Sequence, residues 1–184
     1  TTTGSLTLTG TANFNSGSTS VNSPLTGNIT LEESAAPDGS TVTLVQINSD
    51  GTETEAATTT TDSNGQFTLT GVSAAESGAS DGSFYYEIRV SDGTNTVTAP
   101  IAPDSNTDVP VDTNSTMAAD ILNDAVKTDG DNPVVDPDII NNLASRVEVD
   151  MTEIYDGNTT VPASSDTEAT AALAQGITTN SEGI

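Results

Sequence analysis

Two short acidic runs hold the residues best suited to chemistry, Asp129-Gly130-Asp131-Asn132 and Asp136-Pro137-Asp138. Hard cations such as calcium take several oxygen ligands around a tightly turning backbone, and Asp129, Asp131, Asp136 and Asp138 are the residues that would supply them. Calcium is therefore the candidate cofactor. The spacing departs from the EF-hand loop, which needs a central Gly and a terminal Glu. The plainer reading is a solvated loop in which Asp136 caps a helix. Proton-transfer chemistry has less to work with, because the chain has no His, no Cys and a single Lys. Serine-type catalysis lacks its proton acceptor, and thiol catalysis, zinc-thiolate sites and disulfides are excluded. Carboxylate pairs of the glycosidase kind remain open, but 27 Asp and Glu make chance pairs plentiful. With no Trp, the sugar-stacking platforms reduce to Tyr85, Tyr86 and Tyr155, and Tyr86 reads as core. The expectation is a protein that is not an enzyme.

Against those 27 acids stand only Arg89, Lys127 and Arg146, a formal charge of -24 on 184 residues. Such a surface cannot hold DNA, RNA or an anionic membrane through ammonium groups. The partners it suits are cations, neutral polymers, a surface glycan or protein, and copies of itself. An acidic, Thr/Asn/Ser-rich, Lys-poor composition fits an extracellular or cell-surface location, and a start at Thr1 fits a mature exported chain as well as a trimmed one. No stretch reads as a transmembrane segment. Asn28, Asn114 and Asn158 each begin a glycosylation sequon, with Asn158 the best placed beside the turn-forming Asp156-Gly157.

The elements that must position these residues are mainly strands. Leu6, Leu8, Ala12 and Phe14 alternate with small polar residues, a half-buried strand followed by an Asn/Ser/Gly stretch over 15–24 that reads as flexible. Further strands are expected over 27–33, 41–48, 53–61, 66–72, 84–90 and 96–101. Turn signals separate them at Pro37-Asp38-Gly39, Ser49-Asp50-Gly51, Asp62-Ser63-Asn64-Gly65 and Asp92-Gly93. Val45 and Ile47 break the alternation of Val42 and Leu44, which implies a strand covered on both sides or bulged. Thr-rich 53–61 reads as an edge. In FYYEIRV, Tyr86, Ile88 and Val90 should share one face with Phe84. After Pro110 the period changes to that of helices: one over 116–127 capped by Ser115 or Asn114, one after Asp136-Pro137, and a short one starting at Ser165 with Glu168 in a capping box. The division expected is an N-terminal strand and flexible stretch over 1–24, a β-sandwich over 25–112, and a small helical and loop region over 113–184.

Between Gly27 and Gly93 the sequence resembles the carboxypeptidase regulatory-like domain, a transthyretin-like β-sandwich of secreted and surface proteins. The likeness rests on Pro37-Asp38-Gly39-Ser40-Thr41-Val42-Thr43-Leu44, on the turn and Phe-bearing strand from Thr61 through Asp62-Ser63-Asn64-Gly65-Gln66-Phe67 to Val72, and on Tyr85–Val90. It covers about one third of the chain, and the helical tail departs from the simple module. The resemblance implies a mainly β, transthyretin-like or Ig-like antiparallel sandwich with a short C-terminal helical region, without catalytic residues, used for linking, adhesion or display.

A strand such as 5–14, joined to a sandwich by a polar stretch, can complete its own sheet or add to the edge of a neighbouring copy. The second case makes Leu6, Leu8 and Phe14 assembly residues and the chain a secreted subunit of a homopolymeric filament or surface assembly. The first makes it a monomeric adhesion, glycan-binding or linker module.

Overall fold

The computed structural model describes residues 5–22, 28–48, 52–73, 84–101, 108–128 and 163–172. Alternation of small apolar and hydroxyl residues gives β1 (Ser5–Asn22), β2 (Asn28–Ala35), β3 (Thr41–Asn48), β4 (Glu53–Thr60), β5 (Gln66–Ser73), β6 (Phe84–Ser91), β7 (Thr96–Ile101) and the three-residue β8 (Val109–Val111). Helix α1 (Thr113–Thr128) follows. The strands form two mostly antiparallel sheets: β2, β5 and β8 all pair with β1, and the second sheet runs β4-β3-β6-β7. This is the arrangement of a generic β-sandwich with a short C-terminal helical region.

The core lies between the sheets. Leu8, Ala12, Phe14, Phe67, Leu69 and Val111 of the first sheet meet Val42, Leu44, Tyr86, Ile88, Val90, Val97, Ala99 and Ile101 of the second. Tyr86, Ile88 and Val90 share the inner face, as their spacing predicts. Val45 and Ile47 are buried too, on the outer face of β3 opposite Glu87 and Tyr85 of β6. Strand β3 is thus covered on both sides, and its pairing with β4 also carries a bulge that leaves Ala56 as the extra residue.

The turns form as their residues require. The Asp62 carboxylate accepts the N–H groups of Asn64 and Gln66 at 2.8 and 2.9 Å, and Gly65 takes φ +73°. Residues 15–22 differ from expectation, because they continue β1 and pair with β2. Between Asn15↔Glu33 and Thr19↔Leu31 the β1 side advances four residues and the β2 side two, so Ser16-Gly17-Ser18 bulges. A stretch with little apolar content can join a sheet when its partner strand fixes its register and a bulge absorbs the mismatch. Helix α1 starts earlier than expected: Asp112 is its N-cap, accepting Ser115 N–H at 2.9 Å while Ser115 Oγ accepts Asp112 N–H at 2.8 Å. The last described helix covers 167–172, with Asp166 Oδ1 accepting the Ala169 N–H at 3.0 Å in place of the expected Ser165 cap. The expected helix after Asp136 lies outside the described residues.

Gly65 is needed for a second reason. A Cβ there would lie 2.5 Å from the Ala12 carbonyl oxygen and 3.0 Å from the Ala36 nitrogen, both backbone. Gly39 has a comparable φ of +83° with nothing within 4 Å of a Cβ. Gly39→Ala is expected to cost about 1–2 kcal/mol, the penalty of the left-handed conformation alone. Gly65→Ala should cost clearly more, since backbone must also move. Equal midpoints in urea unfolding would show that the Ala12 junction tolerates displacement.

Candidate functional site

Strand β1 is the element on which the first sheet is assembled. Its residues 5–11 pair with β5, residues 13–22 with β2, and residues 10–12 run parallel to β8. Ala12 is the hand-over point: its N–H donates to Gly65 O and its carbonyl accepts from Ala36 N–H, both at 2.9 Å. The N–H and C=O of one extended residue leave a strand on the same side, so the start of β5 and the end of β2 meet along one edge of β1. Asn15 has the opposite parity and turns its peptide groups the other way, to Ser164: Asn15 N–H donates to Ser164 Oγ at 2.9 Å and Ser164 N–H to Asn15 O at 3.0 Å.

Side chains of even parity fill the slot between β5 and β8. Leu8 and Ala12 are fully buried and Phe14 nearly so. Gly10 is required between them, because a Cβ there would lie 2.5 Å from Phe67 Cζ and 2.6 Å from Val109 O. Of the three residues assigned to assembly, Leu8 and Phe14 therefore belong to this chain's own core, and Leu6 pairs through its backbone with Val72. The slot accepts a strand of large, absent, small and large side chains at alternate positions, supplied here in cis.

The opposite sheet is closed at β7. Thr96 N–H donates to Ser164 O, Thr98 N–H to Thr116 Oγ1 at 2.9 Å, and Ser115 Oγ to Thr98 O at 2.7 Å. Pro100 has the same outward parity and brings no N–H. Ser164 thus ties the edge of β1 to the edge of β7, and α1 seals the remainder, so β7 offers little backbone to an incoming strand.

Two acidic clusters flank this frame. On the outer face of β6, Glu87 is 1% exposed and its carboxylate takes Arg89 Nη2 at 2.9 Å. The same guanidinium binds Glu53 through two 2.9 Å bonds. Burial pushes the Glu87 carboxyl up, and Arg89 and Asn123 pull it back; Arg89 is held more firmly protonated, first by its bonds to Glu53. Tyr85, a candidate sugar platform by type, is only 1% exposed and donates its hydroxyl to Asn123 of α1. Burial raises its pKa further from neutrality. It is an interior group because α1 reaches over the face that alternation assigns to solvent, and Tyr86 is core.

The second cluster joins β2 to α1. Glu33 accepts the backbone N–H of Thr113, and its carboxyl is pushed up to about 7, first by burial and then by the charge of Asp112. Glu33 Oε1, Thr113 Oγ1 and Asn114 Oδ1 are buried without a hydrogen-bond partner. Sequence reasoning missed this cluster. Asp112 followed three residues later by Ser115 was the available signal for the cap, but nothing local connects Glu33 to it.

Asn114 lies in the first turn of α1 with its amide oxygen buried, and Asn28 opens β2 opposite Asn22. Asn158, Tyr155 and the acidic loop of Asp129, Asp131, Asp136 and Asp138 lie outside the described residues. Among the described residues no three carboxylates converge on one point, and no helix is long and apolar enough to cross a membrane.

Arg89→Met is expected to destabilise by about 3–5 kcal/mol, because it leaves the Glu87 charge buried and uncompensated. The double variant Arg89→Met/Glu87→Met should recover most of that in denaturant unfolding; equal losses in single and double variants would place the cost in packing. Glu33 gives a pH signature. With a folded pKa near 7 against an ordinary 4.5, the folded state binds the proton more tightly. Its contribution is full below pH 4.5 and lost as pH rises through 7. In metal-free buffer the wild type should therefore lose stability across that window relative to Glu33→Gln, and parallel profiles would refute the assignment. No family model matches the chain, and neither curated proteins nor solved structures give a match.

Proposed function

We propose that the chain is a secreted structural subunit of an extracellular filament or surface assembly, in which copies are joined by exchange of β1. The observation that carries this reading is the architecture of the first sheet. One terminal strand supplies the pairing partner for β2, β5 and β8 and the Leu8-Gly10-Ala12 series that fills the slot. A strand with that many partners makes the same contacts whether it comes from its own chain or from a neighbour. The bulge at Ser16-Gly17-Ser18 interrupts the part of β1 that is paired to β2, beyond the slot-filling residues Leu8 to Phe14, and is a place where a chain can redirect. Composition supports an extracellular setting, and the resemblance of residues 27–93 to the carboxypeptidase regulatory-like, transthyretin-like sandwich supports a non-catalytic role.

The second reading is a monomeric adhesion, glycan-binding or linker module. It is favoured by the pairing of β1 in cis and by the sealed edge of β7. The net charge of -24 also opposes self-association at low salt, so assembly would need salt or divalent cations.

Cross-linking separates the two. The chain has no Cys, and Thr9 stands opposite Thr68 across β1 and β5. Single-Cys variants Thr9→Cys and Thr68→Cys, unfolded together and refolded in high salt with and without calcium, should yield the mixed intermolecular disulfide in a fraction that light scattering shows to be assembled. Exclusive intramolecular closure of the double-Cys chain, with the wild type monomeric in every condition, would reject exchange and leave the monomeric module.

A further inference from the structure

Three hydrogen bonds that join the two sheets pass through a single residue, Ser164. Its first partner, Asn15, lies just beyond the slot-filling residues Leu8 to Phe14 and just before the bulge at Ser16-Gly17-Ser18. Both peptide groups of Asn15 end on Ser164: the N–H donates to Ser164 Oγ at 2.9 Å, and the carbonyl accepts the Ser164 N–H at 3.0 Å. The Ser164 carbonyl in turn accepts the N–H of Thr96 in β7 at 3.1 Å. Asn15 is 1% and Ser164 5% exposed, so these bonds are shielded from water.

The segment that presents Ser164 is braced on its own. The Asp166 N–H closes a turn onto the Ala163 carbonyl at 2.9 Å, which puts Ser164 at the second position of that turn. The Asp166 carboxylate accepts the Ala169 N–H at 3.0 Å, and the buried Thr170 returns its N–H and hydroxyl to the Asp166 carbonyl. A residue held this way loses little further freedom on docking, so its bonds form at low entropic cost. A short hydroxyl side chain is needed as well, because one residue must offer an acceptor and its own N–H to the same peptide pair of Asn15. Strand β8 and helix α1 follow β7 in the chain, whereas Ser164 reaches Asn15 across 149 positions. The contact therefore belongs to a separate segment, one that can open without unfolding the sheets.

We propose that residues 163–172 are a clasp that keeps β1 in its own sheet, and that release at Ser164 precedes departure of the slot-filling half of β1. Phe14 and Asn15 are adjacent, so the slot cannot empty fully while Asn15 is fixed, and pulling Asn15 away would strip two buried peptide groups of their partners. Release at Ser164 breaks all three bonds in one event and parts the edge of β1 from the edge of β7. It leaves the pairing of β6 with β3 and β7 untouched. The clasp itself does not depend on the assembly reading. Its consequence for assembly does rest on that reading: under strand exchange, the clasp is the contact that must open before a neighbour's β1 can enter, and it closes on whichever β1 fills the slot.

The test is native-state amide hydrogen exchange, followed by NMR on the full chain as wild type, Ser164→Ala and Ser164→Pro. Pro suits the second position of a turn and removes both the N–H and the hydroxyl. The reporter is the Ala12 N–H, whose acceptor, Gly65 O, lies on the opposite side of β1 from the clasp, so the loss of a Ser164 bond does not touch it directly. Ala12 should exchange about ten- to hundredfold faster in Ser164→Pro and by a smaller factor in Ser164→Ala, up to about tenfold for each bond lost. Ile88 and Val90 of β6 should keep their wild-type rates. An unchanged Ala12, or a rise shared equally by Ile88 and Val90, overturns the proposal, because Ser164 then acts on global stability or not at all. Ser164→Ala keeps the comparison available if Ser164→Pro does not fold. Light scattering on the same samples in high salt reads assembly separately. Selective opening of Ala12 in chains that all stay monomeric upholds the clasp and rejects exchange of β1, whereas chains that assemble with Ala12 unmoved uphold exchange and reject the clasp.

Discussion

Every buried peptide group must find a hydrogen-bond partner, and in this sandwich the burden falls on β1. It crosses the whole first sheet, and no single neighbour accompanies it along its length. Strand β5 serves its first part and β2 its second, and the two can meet at Ala12 only because Gly65 lacks a side chain and adopts a positive φ. On the other side β8 and Ser164 divide the work. Much of the remaining structure follows from this sharing. The turn at Asp62–Gly65, which carries the chain from β4 in one sheet to β5 in the other, is placed by where β5 must begin, the bulge at Ser16–Ser18 by the register of β2, and the segment at 163–166 by the outward peptide of Asn15.

Charge imposes the second constraint. With so few basic residues, the chain cannot neutralise its carboxylates in pairs, and it treats them in three ways. Some of those in the described residues stay in solvent, as at the Asp62 and Asp92 turns, where backbone N–H groups hold the carboxylates and, for Asp92, keep its pKa low. Glu87 is buried, and Arg89 is committed to it and to Glu53. Glu33 is partly buried beside Asp112, and burial together with that charge pushes its carboxyl up to about 7, so it holds a proton where an ordinary Glu is ionised.

How much of this the sequence revealed depended on whether the cause was local. Alternation identified the inner face of β6 from Tyr86, Ile88 and Val90, and turn chemistry located Gly39, Gly65 and Gly93, because both signals lie within a few residues. Tyr85, named as a possible sugar platform, alternates onto the face opposite Tyr86 yet is buried: period two gives the face of a sheet but not what covers it, and Asn123 is 38 residues away in sequence. Residues 15–22 looked flexible because their polar content is real, whereas their strand conformation comes from pairing with β2. Ser164 carried no signal, since its role depends on reaching Asn15 across 149 positions. The Glu33 cluster was hidden for the same reason.

The same non-local pairing bears on the strand exchange proposed above. A strand that closes locally, as a hairpin does, gains little by leaving its own sheet. The first half of β1 pairs instead with β5 and β8, distant in sequence, and its connection to the sandwich runs through the bulged, hydroxyl-rich segment before β2. The chain-entropy cost of closing that contact in cis grows only slowly with loop length. A second copy competes through its effective concentration, which a growing end or a crowded surface raises. Under that proposal cis and trans pairing would differ little in contacts and mainly in charge repulsion between copies, so screening salt and bound cations would lower the one term that separates the two states.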